Sequence, residues 1–300
     1  MSHFRDHRLQ LHLEKNKNRA RLLISCADQP GIVAAVSSYL SEQGANIVES
    51  NQYTTDPEGG MFFLRIEFEC EHLSSKKEQL ENEFTSISNK FEMDWKIAYA
   101  DELKRMAIFV SKGEHCLLEL LWQWQAGDLI ADIPLVISNH PDLRETVESL
   151  GIPFYHIPVT KETKKEAEQK QIELVKKYNI DVVVLARYMQ ILSAEFVKEM
   201  PYRIINIHHS FLPAFIGARP YERAYERGVK LIGATSHYVT NDLDEGPIIE
   251  QDIERVNHKD NAEDLKRIGR TIERNVLARA VSWHLQDRVL VYSNKTVVFE

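Results

Sequence analysis

Cysteine is scarce in this sequence of 300 residues, which contains three: Cys26, Cys70 and Cys116. The number is odd, and none of them belongs to a CxxC pair or to a Cys/His spacing typical of a zinc site. A disulfide-stabilised secreted fold is therefore not indicated. A reduced, cytoplasmic environment fits the cysteine usage best.

Long apolar runs and an excess of basic charge are also missing. The N-terminal stretch MSHFRDHRLQLHLEKNKNRA has no apolar core of the secretory type, and no run approaches the roughly 18 apolar residues that span a bilayer. Acidic side chains number 45 and basic ones 37, for a net charge of −8. Because nucleic-acid-binding surfaces are normally basic, we do not expect a nucleic acid as partner. Because no apolar run is long enough to span a bilayer, we do not expect a membrane partner either. Residues 1–18 read as a polar, partly frayed extension.

A first domain over residues 19–101 is predicted from the order of its elements. An apolar strand is followed by a turn with Pro30 and Gly31, and then by a helix with apolar residues at helical spacing. The two strands on either side of the turn at 56–60 are predicted to form a hairpin. An amphipathic helix and a last strand complete a βαββαβ order, which is the ferredoxin-like arrangement.

A second domain over residues 104–300 alternates short apolar strands with helices. This pattern is typical of a Rossmann-like, mostly parallel sheet that is covered by helices on both faces. After Ser210 the pattern loosens into a loop rich in glycine and proline. A hairpin over 233–255, a long helix over 261–286 and two terminal strands are predicted beyond it. The fold class is therefore α/β, with two domains.

The densest polar residues lie in two segments of the second domain. Asn206 and His208 are two positions apart in a predicted strand, so their side chains point to the same face. They come at the carboxyl end of that strand, where open α/β sheets place their ligands. Asp244 follows in a loop that can close back over them.

These residue types suit the hydrolysis of an acyl group. An imidazole exchanges protons near neutral pH, an amide N–H stabilises an oxyanion, and a carboxylate orients water or an imidazolium. A lone histidine at a strand end is, however, more often structural than catalytic. Adjacent His208 and His209 are compatible with a metal, but HExxH and a third ligand at metal spacing are missing, so no metal is expected. A nucleophilic Cys116 stays conceivable, although it begins an apolar helix.

Two runs of the first domain carry a resemblance. The run Asp28-Gln29-Pro30-Gly31-Ile32-Val33 opens a helix, and Gly44-Ala45-Asn46-Ile47 leads into the next strand. Together they resemble an ACT domain, a small-molecule sensing module that usually works in pairs. The resemblance implies an amino-acid effector, such as glycine or methionine, whose expected contacts are Asp28, Gly31, Ile32 and Asn46. A domain that serves only dimerisation is the alternative.

The second domain resembles the folate-dependent formyltransferase family. The motifs that carry the resemblance are Asn206-Ile207-His208, Ser210-x-Leu212-Pro213, Gly233-Ala234-Thr235-Ser236-His237 and Leu243-Asp244-x-Gly246-Pro247. In that family the matching positions supply a catalytic triad, which implies this role for Asn206, His208 and Asp244. His237 is expected to brace the loop of Asp244 or to be a core histidine.

The segment 185–193 is similar to the family loop that contacts the pteridine ring of folate. Gln190 stands where transformylases of the family often have arginine, so contacts from the backbone are the ones expected to persist. The resemblance implies substrate contacts from Met189, Gln190, Ile191, Leu192, His237, Asn241 and Leu243.

The acceptor of the formyl group is predicted from the stretch after the first strand of this domain. Transformylases carry a phosphate loop rich in Gly, Ser and Asn there, whereas residues 110–116 read VSKGEHC, with one glycine and an added carboxylate. Such a stretch is a poor phosphate cradle, so water is the expected nucleophile.

The pairing with an ACT-like domain and the run 208–220 resemble the hydrolases of this family. They imply conversion of 10-formyltetrahydrofolate to formate and tetrahydrofolate in one-carbon and purine metabolism. The folate is the substrate, no cofactor is permanently bound, and a homo-oligomer (dimer or tetramer) is expected. Two alternatives stay open: a transferase with an unidentified acceptor, and a folate or amino-acid sensor without turnover.

Overall fold

The structure is a computed structural model that describes residues 2–56, 58–214 and 219–299. The chain folds into two compact units. The first, the N-terminal unit, comprises residues 3–103 together with 287–290 and 297–300. The second, the C-terminal unit, comprises residues 104–286 and 291–296. Residues 287–290 and 297–300 therefore group with the N-terminal unit. They lie outside the range 19–101 that the sequence predicts for the first domain.

The N-terminal unit contains the predicted βαββαβ order, which confirms the ferredoxin-like fold. Its elements are α1 (Ser2–Asn16), β1 (Arg19–Ala27), α2 (Ile32–Glu42), β2 (Asn46–Thr54), β3 (Met61–Glu69), α3 (Leu73–Lys90) and β4 (Asp94–Tyr99). Helix α1 occupies most of the stretch for which the sequence predicted only a polar extension. The strands form one antiparallel sheet in the order β2-β3-β1-β4.

One face of this sheet packs against α2 and α3 around Ile24, Leu64 and Phe84, each completely buried. The opposite face carries a buried cation, Arg65, whose side chain is 4% exposed. Its guanidinium contacts Glu49 at 3.1 Å and Glu67 at 3.2 Å. A buried arginine is tolerable only when it is paired in this way. The central strand β3 is therefore covered on both faces, by apolar contacts on one and by ion pairs on the other.

The C-terminal unit is built on a seven-stranded sheet. Its elements are β5 (Arg105–Val110), α4 (His115–Ala126), β6 (Asp132–Ser138), α5 (Arg144–Glu148), β7 (Phe154–His156), α6 (Lys164–Lys177), β8 (Val182–Leu185), α7 (Ala194–Glu199), β9 (Ile204–His208), α8 (Pro220–Arg227), β10 (Leu231–Tyr238), β11 (Ile248–Arg255) and α9 (Ala262–Leu285). The strands β12 (Val289–Tyr292) and β13 (Lys295–Val298) follow and pair with each other.

The strand order is β11-β10-β9-β8-β5-β6-β7, with β5 to β9 parallel and the hairpin β10-β11 antiparallel. The mostly parallel sheet is confirmed. The four residues of β8, VVVL, are all buried, as expected for a strand with both faces covered. Strand β5 lies between β6 and β8, so the direction of winding reverses there. In open α/β sheets, ligands bind at the carboxyl ends of the strands around such a point.

Helix α9 begins at a capping box, in which the Asn261 side chain accepts hydrogen bonds from the N–H groups of Glu263 and Asp264. It is an amphipathic helix that buries an apolar stripe against β9, β10 and β11. Among the helices of the described residues, none combines the length and the apolarity that crossing a membrane requires.

Candidate active site

Strand β9 places Asn206 and His208 at the carboxyl edge of the sheet, as their spacing predicts. The antiparallel partner β10 brings His237 directly opposite Asn206 in register. The Asn206 Nδ2 atom lies 3.2 Å from His237 Nε2. His237 Nδ1 lies 2.9 Å from the carbonyl oxygen of Tyr238, which can only accept a hydrogen bond. Nδ1 therefore carries a proton.

Asp244 lies on the loop that returns from the end of β10 to the carboxyl end of β9. Its Oδ2 atom is 3.3 Å from His208 Nδ1, and its Oδ1 atom is 3.7 Å from His237 Nε2. The hydrogen bond with His208, and after it the contact with His237, keeps the pKa of Asp244 well below its usual value. The carboxylate is therefore ionised across the physiological pH range. The structure brings Asn206, His208 and Asp244 together.

The loop of Asp244 is held by a close approach of the backbone at Gly246. A Cβ atom added to Gly246 would lie 1.8 Å from the carbonyl oxygen of Tyr238, so no other residue fits there. The carbonyl of Pro247 accepts a hydrogen bond from the N–H of Tyr238 at 2.9 Å. Asp244 itself has a φ of 59°, in the left-handed region that aspartate and asparagine adopt more readily than other non-glycine residues. The Gly-Pro pair is thus part of what positions the carboxylate.

The two ring nitrogens of His208 have different surroundings. Nδ1 faces Asp244, whereas Nε2 is buried and makes no hydrogen bond to any of the described residues. The residue is 6% exposed, so solvent does not satisfy this atom freely. A buried ring nitrogen without a partner is unusual, because such atoms normally find one. It marks the side of His208 on which a reacting group would bind.

Thr235 on β10 fixes the turn that follows β9. Its hydroxyl donates to the carbonyl of Ser210 at 2.9 Å and accepts from the N–H of Leu212 at 3.0 Å. Gln251 donates to the same hydroxyl at 2.9 Å. These contacts give the Gly-Ala-Thr-Ser-His motif a structural role, which is to hold the backbone beyond His208. Residues 215–218 of the run used for the resemblance lie outside the described residues.

The loop after β8 carries the predicted substrate contacts Met189, Gln190, Ile191 and Leu192. Met189 and Ile191 are each 58% exposed, which is high for large apolar side chains. The loop is tied to its surroundings at its start, where the N–H of Met189 donates to the Ser111 hydroxyl at 2.9 Å. Of the other predicted contacts, Leu243 and Asn241 are exposed on the loop of Asp244.

A second polar cluster, which the sequence did not predict, lies beside this site. Glu273 of α9 is 1% exposed. Its Oε1 atom accepts from the Tyr221 hydroxyl at 2.6 Å, and its Oε2 atom is 2.8 Å from His115 Nε2 and 3.4 Å from Arg187 Nε. Burial and then Arg187 lower the pKa of His209 to about 4.

Part of this cluster has the composition of a metal site. His115, Cys116 and Glu273 offer ligand atoms within 4.8 Å of one another. However, the guanidinium of Arg187 beside the carboxylate opposes a bound cation. The donor set therefore suits an internal ion pair better than a metal.

The predicted effector contacts lie around the start of α2 in the N-terminal unit. The Asp28 carboxylate accepts from the Thr54 hydroxyl at 2.8 Å. Gly31 has a φ of 96°, and Asn46 is exposed at the start of β2. Ile32 is 2% exposed in the core, so its side chain cannot reach an effector and only its backbone remains for that role.

Two family models match the chain in the order that the fold suggests. Residues 20–85 match the ACT domain, and residues 104–281 match the formyl transferase domain. The crystal structure of glycinamide ribonucleotide transformylase 1 from Symbiobacterium toebii is 28% identical, with a TM-score of 0.62, and covers 66% of this chain and 95% of its own. The fold and the site thus define a formyltransferase-fold protein that carries an additional ACT domain.

Relatives that match over the whole length are more specific. The formyltetrahydrofolate deformylase of Bacillus subtilis (strain 168) is 65% identical over 299 residues, 100% of each chain. The crystal structure of a formyltetrahydrofolate deformylase from Pseudomonas syringae pv. tomato is 46% identical, with a TM-score of 0.90 and 100% of both chains covered. The chain belongs to the formyltetrahydrofolate deformylase family.

Proposed function

We propose that the chain hydrolyses 10-formyltetrahydrofolate to formate and tetrahydrofolate, with Asn206, His208 and Asp244 as the catalytic residues. The observation that carries this proposal is the arrangement around His208, whose Nδ1 faces an ionised carboxylate while its buried Nε2 has no partner among the described residues. A histidine held in this way exchanges protons through Nε2 alone.

The reaction begins with the attack of water on the formyl carbon. Asp244 orients His208 and the attacking water, and His208 Nε2 receives the proton that the water loses. The tetrahedral intermediate carries its negative charge on the former carbonyl oxygen. His208 then delivers the proton to the folate nitrogen as the C–N bond breaks, which releases formate and tetrahydrofolate. No covalent intermediate with the protein is required.

Asn206 stabilises the oxyanion of that intermediate through its side-chain amide. The Asn206 amide nitrogen lies 3.2 Å from His237 Nε2, and in this proposal His237 holds that nitrogen in place. This contact fixes which side of the amide is the donor and leaves its second N–H for the oxyanion. Loss of one such donor typically slows a reaction on the order of 10²–10³-fold. His237 therefore acts as a brace of Asn206.

The folate is proposed to bind against the loop after β8 and the loop of Asp244. The exposed apolar side chains of Met189, Ile191 and Leu243 offer surface for the pteridine ring. The backbone polar groups of Gln190 and Leu192 are the proposed hydrogen-bonding partners of its ring nitrogens. Neither a metal nor a permanently bound cofactor is included in this proposal.

The N-terminal unit is proposed to bind an amino-acid effector, such as glycine or methionine, with contacts from Asp28, Gly31, Asn46 and the backbone of Ile32. The match to the ACT domain supports a regulatory ligand of this class. We also propose a cytoplasmic homo-oligomer, a dimer or a tetramer. Size-exclusion chromatography with light scattering measures the oligomer, and isothermal titration with each amino acid tests the effector.

The test of the function is formate release from 10-formyltetrahydrofolate by the purified protein in plain buffer. We expect release by the wild type, loss of release in His208→Ala, and normal release in His258→Ala, a matched change at an exposed histidine. If the wild type binds the folate without releasing formate, the transferase or sensor alternatives replace the hydrolase. Release that survives in His208→Ala would contradict the assigned mechanism.

A further inference from the structure

The buried carboxylate of Glu273 is surrounded by three groups that come from separate parts of the sheet's carboxyl edge. Tyr221 belongs to α8, His115 begins α4, and Arg187 follows β8. Both carboxylate oxygens are engaged. The cost of burying a charge is offset by this pairing, and the removal of any one partner leaves the others uncompensated. The four side chains of the cluster therefore depend on one another for their pairing.

Helix α9 is shaped to admit this cluster. Gly269 lies one turn before Glu273 on the same face of the helix, and a Cβ atom there would lie 2.1 Å from the Tyr221 hydroxyl. Glycine in the middle of a helix is unfavourable relative to alanine. Here it is the residue that allows the tyrosine ring to lie across the helix and reach Glu273. A purely apolar packing of α9 would not need it.

One branch of the cluster leads to the loop that carries Met189. Arg187 has a φ of 62°, an unfavourable conformation for a side chain of this kind. Its Nε atom lies 3.4 Å from Glu273 Oε2, an electrostatic contact without hydrogen-bond geometry, and the carbonyl of Arg187 accepts from the N–H of Ser111 at 3.3 Å. Two residues further on, the N–H of Met189 donates to the Ser111 hydroxyl. The start of the loop is therefore fixed by Glu273 and Ser111 together.

The other branch leads to His208. The ring of Tyr221 lies 6.2 Å from the ring of His209, and the ring of His209 lies 5.2 Å from that of His208. The hydroxyl of Tyr221 is fixed by its short hydrogen bond to Glu273. The orientation of the tyrosine thus determines the surface against which the His209 ring packs, and His209 in turn lies against His208.

We propose that Glu273 is a positioning residue that serves both halves of the active site: it fixes the substrate-binding loop through Arg187 and the ring of His208 through Tyr221 and His209. This inference rests on the proposed function, because it assigns the loop after β8 to substrate binding and His208 to proton transfer. Glu273 itself touches neither the folate nor the reacting atoms.

We expect variants in the two branches to change different kinetic constants. Arg187→Lys should raise KM for 10-formyltetrahydrofolate about tenfold and leave kcat within about twofold, since it changes the residue that begins the loop but keeps the positive charge beside Glu273 and His209. Tyr221→Phe should lower kcat about tenfold and leave KM within about twofold, since it removes only the hydroxyl. Glu273→Gln, which preserves the shape but removes the charge, should show both effects.

Steady-state formate release by the full-length chain, with thermal unfolding to establish folding, tests this inference. Glu222→Gln, a matched change at a surface ion pair next to Tyr221, is the control and should leave both constants unchanged. A merely structural role would lower the active fraction in all three variants and so reduce kcat without changing KM; this result would overturn the proposal. If Glu273→Gln does not fold, the other two variants decide whether the proposal holds. A raised KM in Arg187→Lys together with a lowered kcat in Tyr221→Phe supports it. An inactive wild type would refute the proposed function instead.

Discussion

Replacing Asp244 with asparagine isolates the role of its charge. Asparagine adopts the left-handed conformation as readily as aspartate, so the φ of 59° at this position is retained without strain. An alanine there would add backbone strain to the loss of the carboxylate. The comparison of Asp244→Asn with the wild type therefore reports on the contact with His208 and not on the shape of the loop.

The expected loss follows from the geometry. The carboxylate lies 3.3 Å from His208 Nδ1, and a hydrogen bond to a charged group contributes about 1.5–3 kcal/mol. At about 1.4 kcal/mol per factor of ten, this contact alone corresponds to roughly 10–150-fold. A proton-transferring side chain that is correctly oriented contributes typically about 10²–10⁴-fold. We therefore expect kcat to fall by about 10²–10⁴ in Asp244→Asn.

The assay is formate release under saturating 10-formyltetrahydrofolate, with a thermal unfolding curve for each variant. Asp242→Asn is the matched control, because this exposed carboxylate lies on the same loop. It should retain wild-type kcat. If the folded Asp244→Asn protein retained more than about a tenth of the wild-type kcat, Asp244 would have no role in the mechanism.

Three further predictions concern stability. Gly269→Ala forces a Cβ against the Tyr221 hydroxyl and should lower the free energy of unfolding by about 1–3 kcal/mol, measured by urea titration; an unchanged midpoint would contradict the close contact. Gly246→Ala places a Cβ against a backbone carbonyl and should lower both kcat and the unfolding temperature, whereas normal activity would show that the loop accommodates a side chain. Because the pKa of Asp244 is depressed in the folded state, its contact with His208 contributes stability above the unfolded pKa of about 4 and loses it as the pH falls below that value. Asp244→Asn should therefore be less stable than the wild type in urea at neutral pH, with a gap that narrows towards pH of about 3, and a constant gap would refute the linkage.

Much of the candidate site was predictable because it lies in local patterns. Asn206 and His208 share one face of a short strand, and Asp244 lies in a Gly-Pro turn after a predicted hairpin strand. The alternating β-α pattern placed these segments at one edge of a parallel sheet. The structure has each of these features, whereas the grouping of Asp244 with Asn206 and His208 was implied by the family resemblance.

The cluster around Glu273 was not predictable in the same way. Glu273 stands in a long amphipathic helix, where a single carboxylate looks like any solvated residue, and its partners His115, Tyr221 and Arg187 come from three other segments. The one local signal is Gly269, a glycine inside an otherwise regular helical pattern. Such a glycine often indicates a close approach by another group. Ile32, whose effector contact the ACT resemblance implies, has its side chain buried in the core, which sequence alone did not indicate.

The antiparallel pairing of β9 with β10 has a consequence for the way in which activity arises during folding. The parallel strands β5, β6, β8 and β9 contain a continuous buried core, but none of them supplies His237 or Asp244. Those two residues arrive only when β10 docks along β9 and the chain doubles back. A refolding chain therefore cannot be active until β10 has paired with β9 and the loop of Asp244 has returned to the end of that strand.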